Sequence, residues 1–235
     1  GRHSLRVVAG ERVSLGSYFN AFPASYWRRW TVVKQVRLNV TLQGDDASVV
    51  VYKSMANGRS QRVDAGQVQG ADAQTFTFDL SLVPFQDGGW YWFDVVAGKV
   101  DATLVAATWD AEVPADRLEA GSCTVGITTM NRPDFCAKLI KQISDDPEVS
   151  ALVDDVVVAE QGTQKVVDDP EFPAAEAALD GRLRVIEQAN LGGSGGFARA
   201  QYETLKADRS KYVLFLDDDI VMETESILRT ITFGD

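Results

Sequence analysis

The spacing of apolar residues changes once along this chain, and that change limits the possible folds more than any other feature. Up to about residue 112 the pattern has a period of two. Val36-Arg37-Leu38-Asn39-Val40-Thr41-Leu42 and Thr75-Phe76-Thr77-Phe78-Asp79-Leu80 alternate apolar and polar side chains, as half-buried strands do. Val49-Val50-Val51-Tyr52, Trp90-Tyr91-Trp92-Phe93-Asp94-Val95 and Ala102-Thr103-Leu104-Val105 are β-branched or aromatic runs. Turn residues separate them at Gly44-Asp45-Asp46, Ala56-Asn57-Gly58, Asp87-Gly88-Gly89 and Ala97-Gly98-Lys99. Short strands at this spacing predict an antiparallel, jelly-roll-like β-sandwich over residues 1–112. Residues 113–121, with Pro114 and several charges, read as a linker.

From residue 122 the rhythm becomes strand, helix, strand. Thr124-Val125-Gly126-Ile127 reads as a strand and precedes a helix that starts near Pro133. Further strands are expected at Asp155–Ala159 and Leu183–Ile186. A helix is expected from about Gly195 to Ala207. The apolar run Tyr212–Leu216 then reads as a buried parallel strand ending at Asp217. Asp168 to Asp180 is a looser acidic stretch with room for a short helix after Pro170. This succession predicts a mostly parallel sheet with right-handed crossovers, so the fold class is α+β with two domains. The α/β pattern runs only about one helix past residue 217, which reads as the N-terminal part of a longer domain over 122–235.

Charge and composition exclude several functions. The 235-residue chain has a net charge of −11. Residues 1–121 carry 12 basic and 13 acidic side chains and residues 122–235 carry 11 and 21, so the α/β half holds nearly all the excess. Non-specific nucleic-acid binding is not expected of such a chain. No stretch of 18 apolar residues is present to span a membrane. His3 is the only histidine, which argues against a Ser-His-Asp or Cys-His mechanism and a His-rich zinc site. Cys123 and Cys136 read as buried free thiols of a reducing compartment.

Three segments carry candidate chemistry. Asp217-Asp218-Asp219 places three carboxylates at the end of a strand, where open α/β sheets bind ligands. Their mutual repulsion is offset by a cation or by donors, and a hard divalent ion that shares its oxygen ligands with a diphosphate suits the site. A solvated acidic turn capping the next helix is the other reading. Arg132, at the end of the first strand, can bind phosphate or stack on a base, or merely stand exposed at a helix start. Leu191-Gly192-Gly193-Ser194-Gly195-Gly196 precedes a helix and lets backbone approach an anion. Gly193-x-Gly195-x-x-Ala198, with Asp217 about 20 residues on, also matches a dinucleotide fingerprint. In that motif, however, the glycines follow the domain's first strand and a single acid binds ribose. The aromatic segment from Tyr18 to Trp30 reads mainly as core or packing surface. Trp90 and Trp92, two residues apart on one strand face, could fill a core or line a sugar site.

Taken together, the Thr128-Thr129-Met130-Asn131-Arg132-Pro133 turn, Asn190 with its glycine loop, and the Asp217–Asp219 triplet resemble the family-2-like inverting glycosyltransferases of the GT-A fold. The segments Phe19–Trp30, Pro84–Trp90 and Asn190–Gly196 are similar to signatures of the polymerising galactofuranosyltransferases of mycolic-acid-bearing actinobacteria. That resemblance implies a donor, UDP-galactofuranose, and an acceptor, a growing lipid-linked galactan. Thr128, Thr129, Met130 and Arg132 would hold uridine and pyrophosphate. Gln161, Asn190, Asp217 and Asp218 would contact the donor, and Asp217 and Asp219 would flank Mn²⁺ or Mg²⁺. Thr128 and Met130 stand where the family pattern has proline and phenylalanine. The family's general base, metal-binding histidine and acceptor-binding tryptophans would lie beyond Asp235, so this chain alone is expected to be inactive. The resemblance further implies a cytoplasmic enzyme, homo-oligomeric at full length and peripheral at the inner face of the membrane through regions beyond Asp235. A non-catalytic carbohydrate-binding or assembly module is the alternative from a different class.

Overall fold

The computed structural model of the chain describes residues 4–115 and 121–234. His3, residues 116–120 of the predicted linker, and Asp235 lie outside them. The chain divides into two compact units, Gly1–Ala115 and Asp116–Asp235.

The first unit contains β1 (Leu5–Val7), β2 (Arg12–Ser14), α1 (Ala24–Trp30), β3 (Gln35–Gln43), β4 (Ser48–Ser54), β5 (Ser60–Gln67), β6 (Gln74–Ser81), β7 (Tyr91–Val96) and β8 (Ala102–Asp110). The strands form two four-stranded antiparallel sheets, ordered β1-β8-β3-β6 and β2-β7-β4-β5. Alternation decides what each sheet buries. Val36, Leu38, Val40 and Leu42 of β3 point into the same core as Val49 and Val51 of β4 and Tyr91, Phe93 and Val95 of β7. Each such side chain contributes about 1.5–3 kcal/mol on burial. β5 shows no alternation, because six of its eight positions are exposed at a sheet edge. Only its pairing with β4 makes it a strand. Within the aromatic segment Phe22 is buried and Trp27 packs on the core, whereas Tyr18, Phe19, Tyr26 and Trp30 are exposed.

The second unit runs β9 (Cys123–Thr129), α2 (Pro133–Asp145), α3 (Pro147–Leu152), β10 (Val153–Glu160), a 3₁₀ turn (Val166–Asp168), α4 (Phe172–Leu179), β11 (Leu183–Glu187), α5 (Gly192–Ala207), β12 (Tyr212–Asp217) and α6 (Glu225–Gly234). Its sheet is parallel throughout, ordered β11-β10-β9-β12. The chain therefore reverses direction of travel across the sheet at β9 and β12, the kind of switch point at which a crevice opens. Odd residues of β9 (Cys123, Val125, Ile127) share a core with Ile140 and Ile143 of α2, Leu179 of α4 and Ile227 of α6. Even residues face α5: a Cβ built on Gly126 would lie 2.5 Å from the Cβ of Ala200.

Two expectations need correction. Tyr212–Leu216 is parallel as expected, but β12 is a sheet edge among the described residues, and Phe215 is exposed rather than buried. Helix α5 begins at Gly192, so the glycines are its first turn and not a loop before it. Glycine's low helix propensity hid this from the sequence.

Both cysteines are free and buried. Burial pushes the Cys123 thiol up to about 12, with a further push from Asp154. It also raises Cys136, helped by Asp218 and Glu160. The folded state thus holds these protons more tightly than the unfolded one. The stability this confers is complete below the ordinary thiol range and is lost as pH rises from there toward 12. A thiol reagent at pH 8 is expected to label neither cysteine in the native protein and both after unfolding in urea, read by mass spectrometry.

Candidate functional site

The carboxyl ends of β9, β10 and β12 meet at one cavity of about 250 Å³. Thr128 and Thr129 end β9 there, and Met130 and Arg132 follow in the turn to α2. Gln161 follows β10 directly, and Asn190, Gly192 and Gly193 bring the start of α5 to the same wall. Asp218 closes the cavity from the β12 side. Asp217 and Asp219 do not line it. Asp217, the last residue of β12, is exposed and lies in register with Thr128. Asp219 is joined to the wall through Arg132, whose Nη1 donates to Asp219 Oδ2 at 2.6 Å.

Two polar links tie the acidic triplet to β9 and its turn. Thr129 Oγ1 donates to Asp218 Oδ2 at 2.7 Å, and the Arg132 guanidinium pairs with Asp219. Arg132 also lies 5.4 Å from the ring centre of Phe135, one turn into α2, so the guanidinium stacks while it pairs. The three adjacent carboxylates are therefore offset by one arginine and one hydroxyl donor, which leaves Asp217 as the carboxylate without a described partner.

Residues behind the cavity fix its walls. Asn131 has a φ of 56°, in the left-handed region that asparagine tolerates better than most residues. Its Oδ1 accepts from Thr163 N (2.7 Å), Gln164 N (3.0 Å) and Thr163 Oγ1 (3.2 Å), which ties the β9–α2 turn to the loop after β10. Gln161 acts on the opposite wall. Its Oε1 accepts from Leu191 N at 2.7 Å and from Gln188 Nε2 at 3.3 Å, and its Nε2 donates to Gly192 O at 3.0 Å. Asn190 Oδ1 in turn accepts from Gly192 N. Gln161 lines the cavity as well, so its amide holds the start of α5 from within the wall.

Gly196 explains how α5 reaches the cavity. A Cβ there would lie 2.3 Å from Thr128 Oγ1 and 2.4 Å from Thr128 Cγ2, so only glycine allows this approach to β9. Thr128 Oγ1 is itself buried without a hydrogen-bond partner. Gly196 thus serves helix–strand packing, and the glycine run follows β11, an edge strand, rather than taking the dinucleotide arrangement after a first strand.

The sequence did not single out Asn131 as more than part of a turn, nor Glu160. Glu160 ends β10 fully buried, accepting from Val166 N at 2.6 Å and facing Lys165, which also bonds Glu187. A carboxylate closing an apolar strand was the available signal, the same signal that marked Asp217.

Asn131→Ala removes three acceptor contacts and leaves alanine in a left-handed conformation. It is expected to cost about 1–3 kcal/mol in urea unfolding. Asn131→Asp keeps the acceptor and should cost clearly less.

Comparison with known proteins places both units. Residues 1–112 match the family described as Galactofuranosyltransferase 2 N-terminal, and residues 120–233 match Glycosyltransferase like family 2. Galactofuranosyltransferase GlfT2 of Mycobacterium tuberculosis is 43% identical over 232 residues, 98% of this chain and 36% of that protein. Galactofuranosyltransferase GlfT2 of Mycolicibacterium smegmatis is 43% identical over 235 residues, 99% of this chain and 36% of that protein. The chain thus spans about a third of the length of these relatives. A solved structure of a mycobacterial protein aligns with 55% of this chain and 44% of its own at 20% identity, with a TM-score of 0.36, too slight a likeness to bear on the fold.

Proposed function

Because this chain belongs to the galactofuranosyltransferase family along both of its units, we propose that the cleft at the ends of β9, β10 and β12 is the donor site of an inverting, metal-dependent galactofuranosyltransferase. The donor is UDP-galactofuranose and the acceptor a growing lipid-linked cell-wall galactan. The observation that carries this reading is the convergence of Thr128, Thr129, Met130, Arg132, Gln161, Asn190 and Asp218 on a single cavity beside Asp217 and Asp219.

The residues suit a diphosphate. Arg132 supplies a planar cation that can bond phosphate oxygens in pairs. The first turn of α5 lines the cavity through Gly192 and Gly193, and a helix N-terminus favours negative charge. Asn131 fixes the turn and loop behind this surface, and Gln161 and Asn190, which line it, also hold the start of α5.

The residues also suit a hard divalent cation, Mn²⁺ or Mg²⁺. Such ions take oxygen ligands and leave several positions to water and substrate phosphates. Asp217 and Asp219 would hold it. Among the described residues no three potential metal-ligating side chains group together, so the chain would supply a partial shell that the donor's phosphates complete. Bound there, the metal would act as a Lewis acid on the departing diphosphate. Asp219 would exchange its bond to Arg132 for the ion, which frees the guanidinium for phosphate. Inversion requires a base for the acceptor hydroxyl; that role is assigned to none of the described residues.

Calorimetric titration with UDP-galactofuranose tests the reading. Binding is expected to be at least about tenfold tighter in Mn²⁺ than in EDTA, a difference of about 1.4 kcal/mol. Equal affinity in both would reject the metal's role, and no binding in either would reject the donor site.

A further inference from the structure

The first unit carries a second cavity, unlike the first in chemistry. It holds about 340 Å³ and is lined by Trp90, Trp92, Tyr18 and the hydroxyl-bearing Ser14, Ser17 and Ser54, together with Gly16 and Ala21. Its position is set by alternation along β7. Tyr91, Phe93 and Val95 point into the sandwich core, so Trp92 points out of it. On the neighbouring strand Val49 and Val51 point inward, and Tyr52 lies directly opposite Trp92 on the outer face. Trp90 precedes β7 rather than sharing its strand, yet it reaches the same cavity.

The aromatic surface is fixed before any ligand arrives. The Tyr52 and Trp92 rings stack with centres 5.6 Å apart and planes 18° apart. The Arg12 guanidinium sits 5.4 Å from the Tyr52 ring centre and is itself held by the buried carboxylate of Asp94. A Cβ on Gly16 would fall 3.1 Å from Trp92 Cδ1 and 3.3 Å from Trp92 Nε1, so bare backbone lies against the edge of the indole. Tyr18 lines the same cavity and is 81% exposed, which core packing does not explain.

Among the described residues no charged side chain lines this cavity. A nucleotide or other anion would find neither a cation nor a helix N-terminus there, in contrast to the cleft at Arg132. Flat aromatic faces beside hydroxyls complement a ligand with apolar C–H faces and hydroxyl edges. That ligand class is neutral carbohydrate. We propose that the sandwich carries a separate site for a neutral oligosaccharide, centred on Trp92 and Trp90 and working independently of the donor cleft. If the donor reading also holds, the galactan chain is the saccharide that such a site would retain between transfers; that clause alone rests on it.

Tryptophan fluorescence of the full chain tests the proposal with three probes: a hexasaccharide of β-linked galactofuranose, cellohexaose and a decaproline peptide. At least one saccharide is expected to change the emission saturably. Its affinity should fall about tenfold or more in Trp92→Ala, since a stacked aromatic anchor carries much of such binding. Tyr18→Ala, at an exposed position with little bearing on folding, should weaken it as well. Asp219→Ala should bind the saccharide like the parent, and UDP with Mn²⁺ should not displace it, so this site and the donor site stand or fall separately. Failure of both saccharides to saturate, unchanged affinity in both aromatic variants, or saturation by decaproline alone would overturn the proposal.

Discussion

Asp219→Ala is expected to melt with the unliganded parent and to lose the stabilisation that UDP and Mn²⁺ together confer. The first half follows from exposure. The Arg132 and Asp219 side chains are 51% and 47% exposed, so their ion pair is worth about 0–1 kcal/mol. Removing one of three adjacent carboxylates also relieves repulsion. The second half follows from linkage. A ligand at 100 times its dissociation constant stabilises the folded state by about 2.7 kcal/mol, several degrees in melting temperature for a chain of this size. Without Asp219 the metal loses one of its two proposed protein ligands. The guanidinium of Arg132, released from its partner, would still attract phosphate. Residual UDP binding should therefore be weak and indifferent to EDTA. Thermal melts of parent and variant, each with and without Mn²⁺ plus UDP, decide this; equal ligand-induced shifts in both would refute the metal role of Asp219.

Gly196→Ala is expected to damage both fold and site. The added methyl would overlap Thr128 Oγ1 and Cγ2, and the neighbouring helix turn and strand end leave little room to adjust. Overpacking of this kind costs roughly 1–3 kcal/mol. It would also push Gly192 and Gly193 away from β9, so UDP affinity should fall together with stability. Thr128→Ala offers a direct check. Its hydroxyl is buried without a partner, so losing it should cost little. In that background the nearest remaining atom, the Cβ of residue 128, is 2.9 Å from where the new methyl carbon would stand, and part of the Gly196→Ala loss should return. A coupling of about 1 kcal/mol in urea unfolding is expected, and simple additivity of the two losses would contradict this account of the contact.

How much of this was legible in the sequence depended on whether one local signal decided the outcome. β3 and β6 were plain because every second residue enters a core. The parallel unit was plain because Pro133 opens a helix directly after a strand and apolar runs recur at crossover spacing. β5 was not, since Ser60-Gln61-Arg62-Val63 carries no alternation and becomes a strand only by pairing with β4. The start of α5 was misplaced because five residues of glycine and serine read as loop, whereas they form its first turn, with Gly196 packed against Thr128. At the site, Arg132 and the Asp217–Asp219 triplet announced themselves as charges at strand ends. Asn131 and the backbone contacts of Gln161 did not, because they hold segments distant in sequence, which no spacing rule encodes. The outward stacking of Trp92 on Tyr52 likewise needed the register of β4 against β7.

The most direct test of the central claim is where UDP touches the protein. Backbone amide resonances of the isotopically labelled chain would be followed during titration with UDP and Mg²⁺, which is diamagnetic and leaves the signals sharp. Saturable shifts are expected at Thr128 to Arg132, Asn190 to Gly196 and Asp217 to Asp219, reduced when Mg²⁺ is withheld, with the amides of the sandwich unmoved. Shifts confined to the sandwich, or none in either unit at millimolar UDP, would contradict the assignment of the cleft as a donor site.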